Sequence, residues 1–397
     1  MFRLIWMAAA LLLWAGTTWA GDLRISGFAA AELRGFIEDP QFREQFDGAQ
    51  PSLILNPEFR YRTDEGVHRF SFIPFLRLDA RDDERTHLDL REAYWLYIGD
   101  DWEMLAGINK VFWGVTESRH LVDIINQTDL VEDIDEEDKL GQPMINLTTL
   151  HDWGSLSFFV LPGFRERTFP GEDGRLRTAI PVDDDAAQFE SDLEEWHMDF
   201  AVRYSHFIGD WDVGLSYFYG TGREPRLVPS GDGGRLIPHY DLIHQIGLDV
   251  QYTKEAWLWK LEGIVREGQG HAFAATVGGF EYTLYQIFES DADLGLLFEY
   301  LYDGRDEAEA PVTPFDDDIF VGTRLALNDV QDTQALIGAI LDRKDLSAAP
   351  SIEAERRIGE NWKIELESRL FVNIDDDNPL SSFRDDSFIT LRVSRFF

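Results

Sequence analysis

The 397 residues contain no cysteine. That excludes a disulfide framework and the lipid-modified cysteine of a lipoprotein anchor. Beyond residue 20 there is also no apolar run of about 18 residues, the length a helix needs to cross a bilayer. Positive charge is scarce: 36 Lys and Arg stand against 74 Asp and Glu, a formal net charge of −38. Such an excess repels nucleic-acid phosphates and anionic headgroups, so no nucleic-acid partner is expected. The nine histidines show no paired ligand spacing; His239 and His244 are five apart across a strand start. Ser205 and His206 are adjacent, which sends their side chains to opposite faces of a strand and leaves no hydrolytic triad. Gly231 to Gly234 lacks the Lys and Ser/Thr of a phosphate loop. Asp133 to Lys139 lacks the glycine and closing Glu of an EF-hand. No catalytic, cofactor or metal residue is expected from these patterns, although acidic loops could bind Ca²⁺ or Mg²⁺ loosely and bridge lipopolysaccharide phosphates.

What is present begins with an export signal. Arg3, the apolar stretch Leu4 to Ala15 and the small-residue site Thr18-Trp19-Ala20 read as a cleaved signal peptide over residues 1–20. Residues 21–397 then read as one domain. Aromatic residues make up 13% of the chain and are spread along it. Eighteen segments of strand length recur, from Asp22–Phe36 to Asp386–Phe397, many with polar and apolar residues in alternation. Tight turns such as Asp64-Glu65-Gly66 and Gly209-Asp210 alternate with long acidic or Gly/Pro-rich joins such as 114–142 and 165–192. This is the pattern of an all-β antiparallel transmembrane barrel of 16–18 strands, with 18 preferred. Period-2 faces support it. Leu53, Leu55, Phe59 and Tyr61 alternate with Glu58, Arg60 and Arg62; Phe70, Phe72, Leu76 and Leu78 alternate with Arg69, Ser71 and Arg77. Pro74 interrupts the second set and implies a bulge or kink. In 86–99, Leu88, Leu90, Tyr94, Leu96 and Ile98 alternate with Asp89, Arg91, Trp95 and Tyr97, with Glu92 falling on the apolar set against the pattern. A midplane Arg facing lipid costs about 2–4 kcal/mol, so Arg60, Arg62, Arg69, Arg77 and Arg91 are expected to line the lumen. Two readings of them stand: rigid filler paired with lumenal acids, or guidance for anions.

The final strand stops on an aromatic residue. Ile389, Leu391, Val393 and Phe397 share one face with Arg395, while Thr390, Arg392, Ser394 and Phe396 share the other. It resembles the C-terminal insertion signal of bacterial outer-membrane barrels, with Arg395 a departure from that signal's usual apolar residue. The resemblance implies the barrel-insertion machinery, outer-membrane lipid and lipopolysaccharide as partners, and the outer membrane of a Gram-negative cell as location.

Between Gly107 and Gln142 the composition changes. Leu90-Arg91-Glu92-Ala93-Tyr94, then Gly107 and Lys110 before Trp113-Gly114, then Asp123, Asn126 and Asp129 together resemble a porin-like family of outer-membrane barrels of mostly uncharacterised function, a broader relative of alginate-export barrels. The match spans about 40 residues, and the spacing from Gly107 to Lys110 is looser than the family's. It implies a channel or specialised transporter. The region 114–142 is the candidate constriction, carried by Trp113, Gly114, Glu117, Arg119, His120, Asp123, Asn126 and Asp129; the alternative is an ordinary outer loop whose Asp and Asn cap its own turns. The expected function is passage of a small polar solute, anionic if the arginines set the sign, cationic if acids at the mouth do. Two other classes remain: a lipid-modifying enzyme of the outer membrane, and a barrel that sheathes a periplasmic partner. Nothing in the sequence bears on oligomeric state.

Overall fold

The computed structural model describes residues 21–397; the expected signal peptide, residues 1–20, lies outside the described residues. The strands are β1 (Gly21–Phe36), β2 (Ala49–Thr63), β3 (His68–Asp79), β4 (His87–Ile98), β5 (Trp102–Asn109), β6 (Gln142–His151) and β7 (Gly154–Pro162). They continue with β8 (Gln188–Phe189), β9 (Met198–Ile208), β10 (Trp211–Thr221), β11 (Arg226–Pro229), β12 (Leu236–Tyr240), β13 (Leu242–Lys254) and β14 (Trp257–Glu267). The last are β15 (Phe273–Leu284), β16 (Asp293–Asp303), β17 (Asp317–Ala326), β18 (Gln334–Asp342), β19 (Ala348–Ile358), β20 (Trp362–Arg369) and β21 (Phe388–Phe396). Eighteen of them form one sheet in chain order, and β1 pairs with both β2 and β21, which closes the ring. The short strands β8, β11 and β12 make a separate small sheet among the loops.

Closure is what a strand-built membrane protein requires, because hydrocarbon offers no partner for an open edge. The wall alternates accordingly. On β1 and β2 the side chains of Leu23, Ile25, Leu33, Leu53 and Leu55 face out and are exposed, while Glu32, Arg34, Gln50 and Ser52 face in and are buried. On β21, Ile389, Leu391 and Phe397 are exposed and Thr390 and Ser394 buried. Near the tight turns the outer surface carries an aromatic belt: Tyr97 meets Trp102 at 4.9 Å, Trp211 meets Tyr252 at 4.5 Å, and Trp257 meets Tyr282 at 4.6 Å. Arg395 lies in this belt with its guanidinium 5.6 Å from the Trp362 ring. Its position at the rim, stacked on an indole, accounts for a charge on the outward face.

The Pro74 irregularity is a bulge whose extra residue is supplied by the partner strand. Ile73 pairs with Glu92 but Pro74 pairs with Leu90, so Arg91 has no opposite number. The extra residue inverts the faces of β4 below it. Glu92 turns inward, where it accepts a hydrogen bond from Ser71 at 3.0 Å. Trp95 and Tyr97 turn outward, contrary to the plain alternation of the sequence. The other expected strands are present, several shorter than their segments; 271–290 contributes only Phe273–Leu284.

Tight turns and both ends of the described chain lie at one rim of the barrel. The long connections, including 110–141, 163–197, 222–241, 304–316 and 370–387, lie at the other.

Candidate functional site: a barrel divided by an internal segment

Residues 110–141 leave β5 and fold into the barrel. The apolar side chains Trp113, Leu121, Val122, Ile124 and Ile125 are buried, and they pack on inward-facing Phe159, Ala201, Phe218, Ile243, Ile264 and Leu301 of the wall. Each fully buried aliphatic side chain of this kind contributes about 1.5–3 kcal/mol. One half of the lumen is therefore a protein core. Gly114 sits where the segment touches the wall, at φ +151°; a Cβ there would lie 2.9 Å from His120 Nδ1 and 3.0 Å from Glu262 Oε1.

The far wall holds the segment with two carboxylates. Glu262 on β14 accepts from the backbone N–H groups of Val115, Thr116 and Val122 at 2.7, 3.0 and 3.2 Å, and from the Thr116 hydroxyl at 2.7 Å. Glu299 on β16 accepts from Glu117 N–H and Ser118 N–H at 2.8 and 2.9 Å. Glu117 itself pairs with Arg324 of β17 at 2.6 Å. Backbone donors deep inside a barrel need such acceptors. His120, 3.7 Å from Glu262, is moved in two directions: burial lowers its pKa, and the carboxylates of Glu262 and Asp123 outweigh that and raise it.

The return leg is fastened to β1, β3, β4 and β20. Arg77, fully buried, bonds Glu132 at 2.5 Å and Glu32 at 2.7 Å. Arg34 pairs with Asp133 at 2.7 Å, Arg91 with Asp129 at 2.7 Å, and Arg369 with Asp135 at 2.7 Å. Asn126 ties the ends of the segment together. Its amide donates to the carbonyls of Asn109 and Leu140 at 2.9 and 2.8 Å, and its oxygen accepts from Val111 N–H at 2.8 Å. Asp123 accepts from Trp113 N–H at 3.3 Å with Lys139 3.5 Å away; burial holds its carboxyl above the usual range.

The five arginines expected along the lumen therefore separate. Arg77 and Arg91 are neutralised by buried carboxylates of the wall and the segment. Arg60, Arg62 and Arg69 have the inward register but stand at the tight-turn rim, exposed; Arg62 lies opposite Arg69, and Arg60 pairs with Glu58 at 3.0 Å. They do not form one continuous ladder, because β3 passes from the open rim into the packed half of the barrel. The expected constriction residues do come together in one internal segment. Glu262, Glu299, Glu32 and Glu132 carry its seat and were not singled out by sequence; a carboxylate in the middle of an apolar-rich strand, as Glu262 is, was the available signal.

Two cavities flank the segment. Between it and β17–β21 lies an acidic slot of about 430 Å³. The segment contributes Glu117, Asp133, Asp135, Glu137 and Asp138 to the slot, and the wall Glu353, Glu355, Glu365 and Glu367, against only two arginines, Arg324 and Arg392. Glu353 stands directly opposite Glu367 and Glu355 opposite Glu365, like-charge pairs that cost stability unless a cation intervenes. Lys363 bridges the second pair at 2.5 and 3.0 Å, and Arg369 lies against the first, 3.6 Å from Glu353 and 3.1 Å from Glu367. Asp138 is accessible from the slot but enclosed by the barrel; that enclosure and the charges of Glu132 and Asp133 push its carboxyl up to about 6. Burial and Asp133 likewise raise Asp135. Burial alone would raise Asp133 too, but Arg34 and Arg369 overcome it and hold that carboxyl low. One oxygen each of Asp133, Asp135 and Glu367 lies within 4.8 Å of the others, and so do the ligand atoms of His87, Asp129 and Glu132. Both groups already have guanidinium partners, with which a metal ion would compete. The second cavity, about 340 Å³, opens toward the long loops and is lined in part by Arg119, Arg167, Arg177 and Arg226.

No protein-family model matches the chain, and no curated protein sequence does either. Solved structures do. Wzi, an outer-membrane protein involved in group 1 capsule assembly in Escherichia coli and a carbohydrate-binding β-barrel, aligns over 99% of this chain and 86% of its own, with a TM-score of 0.54 and 9% identity. The fold is that of an outer-membrane β-barrel. The outer-membrane channel DcaP of Acinetobacter baumannii aligns over 96% of this chain and 99% of its own (TM-score 0.46, 11% identity). A mutant of the Rh. blastica porin aligns over 95% of this chain and all of its own (TM-score 0.45, 11% identity). These two superpose more loosely, and the assignment of fold rests on Wzi and on the closed sheet itself.

Proposed function

We propose that the protein is an outer-membrane channel for a polar solute, and that the solute passes through the slot between the internal segment and β17–β21. The observation that carries this reading is the lining of that slot inside a closed barrel wall: nine carboxylates against two arginines, an excess that remains when Arg34, Arg369, Lys260 and Lys363, which pair with some of the nine from behind the lining, are counted. Fixed like charges in a low-dielectric wall focus the field and enrich counter-ions, so the passage favours cations. The arginines that would have favoured anions are held in ion pairs on β1, β3 and β4, or stand at the rim. The apolar outer surface and aromatic belt support residence in the outer membrane, with tight turns toward the periplasm and long loops outside. The chain's own segment occupies the lumen, which leaves little room for a threaded periplasmic partner. The enzyme alternative gains no triad from this geometry.

The test is a reversal potential. The refolded mature barrel is placed in a planar bilayer under a KCl gradient. A potential of the sign for K⁺ permeation, moved toward zero in the double variant Glu353→Gln/Glu367→Gln, is expected. Anion preference in the wild type would reverse the assignment of sign. Absence of conductance in a folded, heat-modifiable barrel would remove the channel reading itself.

A further inference from the structure

The cavity on the loop side of the segment differs from the slot in charge; Arg226 on its lining is closed on Asp241 at 2.6 and 2.7 Å, but Arg119 and Arg167 are poorly engaged. Arg119 approaches Glu224 and Asp303 only to 3.3 Å each. Arg167 approaches Glu136 and the Gln127 oxygen only to 3.4 Å. Charge-assisted N–H···O contacts normally close to about 2.7–2.9 Å, as those of Arg34 and Arg91 do elsewhere in this barrel. Glu224 is not free to answer them more closely, since Arg266 holds it at 2.7 Å and Arg305 at 3.1 Å. Burial would raise the Glu224 carboxyl, but these guanidiniums keep it well below its usual range, so it stays an anion. Arg177, also on the lining, donates to the carbonyls of Glu172, Thr178 and Ala179 at 2.9, 2.9 and 3.1 Å and to no carboxylate among the described residues.

Apart from Glu136, Glu224, Glu307, Arg226 and two threonines, the rest of the lining is apolar. Phe315 lies beneath Arg119, whose guanidinium carbon is 5.2 Å from the ring centre, and Phe169, Pro314 and Val228 complete that side. At about 340 Å³ the cavity is at the lower end of the range for small-molecule pockets. Under-engaged guanidiniums on one side and aromatic and aliphatic surface on the other match a solute with one negative group and an apolar body. We infer that this cup binds a small organic carboxylate, with Arg119 and Arg167 receiving the anionic group. An inorganic oxyanion would leave the apolar side wet, and a neutral apolar molecule would leave the guanidiniums unanswered.

The test is calorimetric titration of the full mature barrel in detergent with three probes: benzoate, its uncharged isostere benzamide, and inorganic phosphate. Saturable benzoate binding is expected, tighter than either of the others. Arg119→Gln and Arg167→Gln should each weaken it about tenfold, the scale of one charged hydrogen bond, while Arg356→Gln on the far side of the barrel leaves it unchanged. If Arg119→Gln fails to reach the heat-modifiable form, Arg167→Gln carries the test alone. Benzoate bound no better than benzamide, phosphate bound as well as benzoate, or full affinity in Arg167→Gln would each overturn the inference. The outcome does not depend on conduction, since a barrel that passes no current still gives or fails to give this binding.

Discussion

The two cavities beside the internal segment differ in charge, one lined by four arginines and three glutamates and the other by nine carboxylates and two arginines. Toward the long loops it presents Arg119 beside Arg167, Arg177 and Arg226 of the neighbouring connections. Toward β17–β21 it presents Glu117, Asp133, Asp135, Glu137 and Asp138. Residues of one short stretch take opposite sides: Glu136 lines the cup, while Asp135 and Glu137 line the slot. A net charge of −38 describes neither side. What decides the local field is where each arginine finds its carboxylate. On β1, β3 and β4 the guanidiniums close on acids of the segment and become structural. In the cup Arg226 closes on Asp241 at 2.6 Å, but Arg119 and Arg167 stay only loosely met. The slot keeps more acids than cations: Arg34, Arg324, Arg369 and Lys363 meet most of its nine carboxylates, while Glu137 and Asp138 have no ion-pair partner among the described residues.

That division depends on the seat of the return leg, so the largest effect is expected from breaking the seat. Arg77→Met removes the fully buried guanidinium that joins the Glu32 and Glu132 carboxylates; Glu32 keeps Arg85 and Arg392, and the Glu132 carboxylate keeps no guanidinium among the described residues. Two carboxylates without their shared partner cost about 3–5 kcal/mol. Denaturant titration of the refolded barrel should show that loss, and slot and cup should lose their separate ion preferences together. Retention of both preferences at full stability would mean that the seat does not maintain the division. A milder break is Asn126→Ala, which removes three buried hydrogen bonds at the base of the segment without touching a charge. We expect about 2–4 kcal/mol of lost stability and faster amide exchange over 110–127, with β1–β3 unaffected. Exchange rising equally in the outer wall would show that the segment and the barrel unfold as one unit.

The wall was legible in the sequence because lipid and water impose period 2 on every strand they border. All of its strands could be placed, and the terminal strand's faces could be assigned from Ile389, Leu391, Thr390 and Ser394 alone. Alternation failed at β4, where the unpaired Arg91 shifts the register and exchanges the faces of Tyr94 and Trp95. It also could not show that Asp123, Asn126 and Asp129 turn inward. Asp123 and Asn126 bond within the segment and Asp129 reaches Arg91, but the carboxylates that seat the segment lie far along the chain, and no local period encodes a contact such as Thr116 with Glu262. The two readings of the arginines could not be separated by sequence for the same reason. Inward register is local, but whether Arg77 meets water or Glu132 is a tertiary fact. Arg119 stood among the constriction candidates, but its loose pairing, and the cup it shares with Arg167, left no trace in sequence pattern.

A selective change on one side sharpens the comparison. Neutralising Glu353 and Glu367 removes two of the nine slot carboxylates and should move the reversal potential partway toward zero, leaving benzoate affinity at the cup unchanged. A change at both sites would show that the segment transmits charge effects between its faces.

The smallest expected effect is a pH step, and its sign follows from the slot alone. Asp138 is ionised above about 6 and neutral below it, so the slot loses negative charge as pH falls through that value. Asp135 is shifted in the same direction, while Asp133, held low by Arg34 and Arg369, remains charged. Cation preference should therefore decline between pH 8 and pH 5 with a midpoint near Asp138's value. Stability moves the other way. A carboxyl whose folded pKa is raised binds a proton that the unfolded chain does not, so its contribution rises as pH falls through 6 toward the unfolded value and is lost on the way back up. Asp138→Asn should flatten the selectivity step and start from the lower preference at pH 8. Reversal potentials of both proteins at pH 8, 7, 6 and 5 decide this. An unchanged step in Asp138→Asn would assign the titration to Asp135 or to the rim, and would place the selective point of the slot away from the return leg.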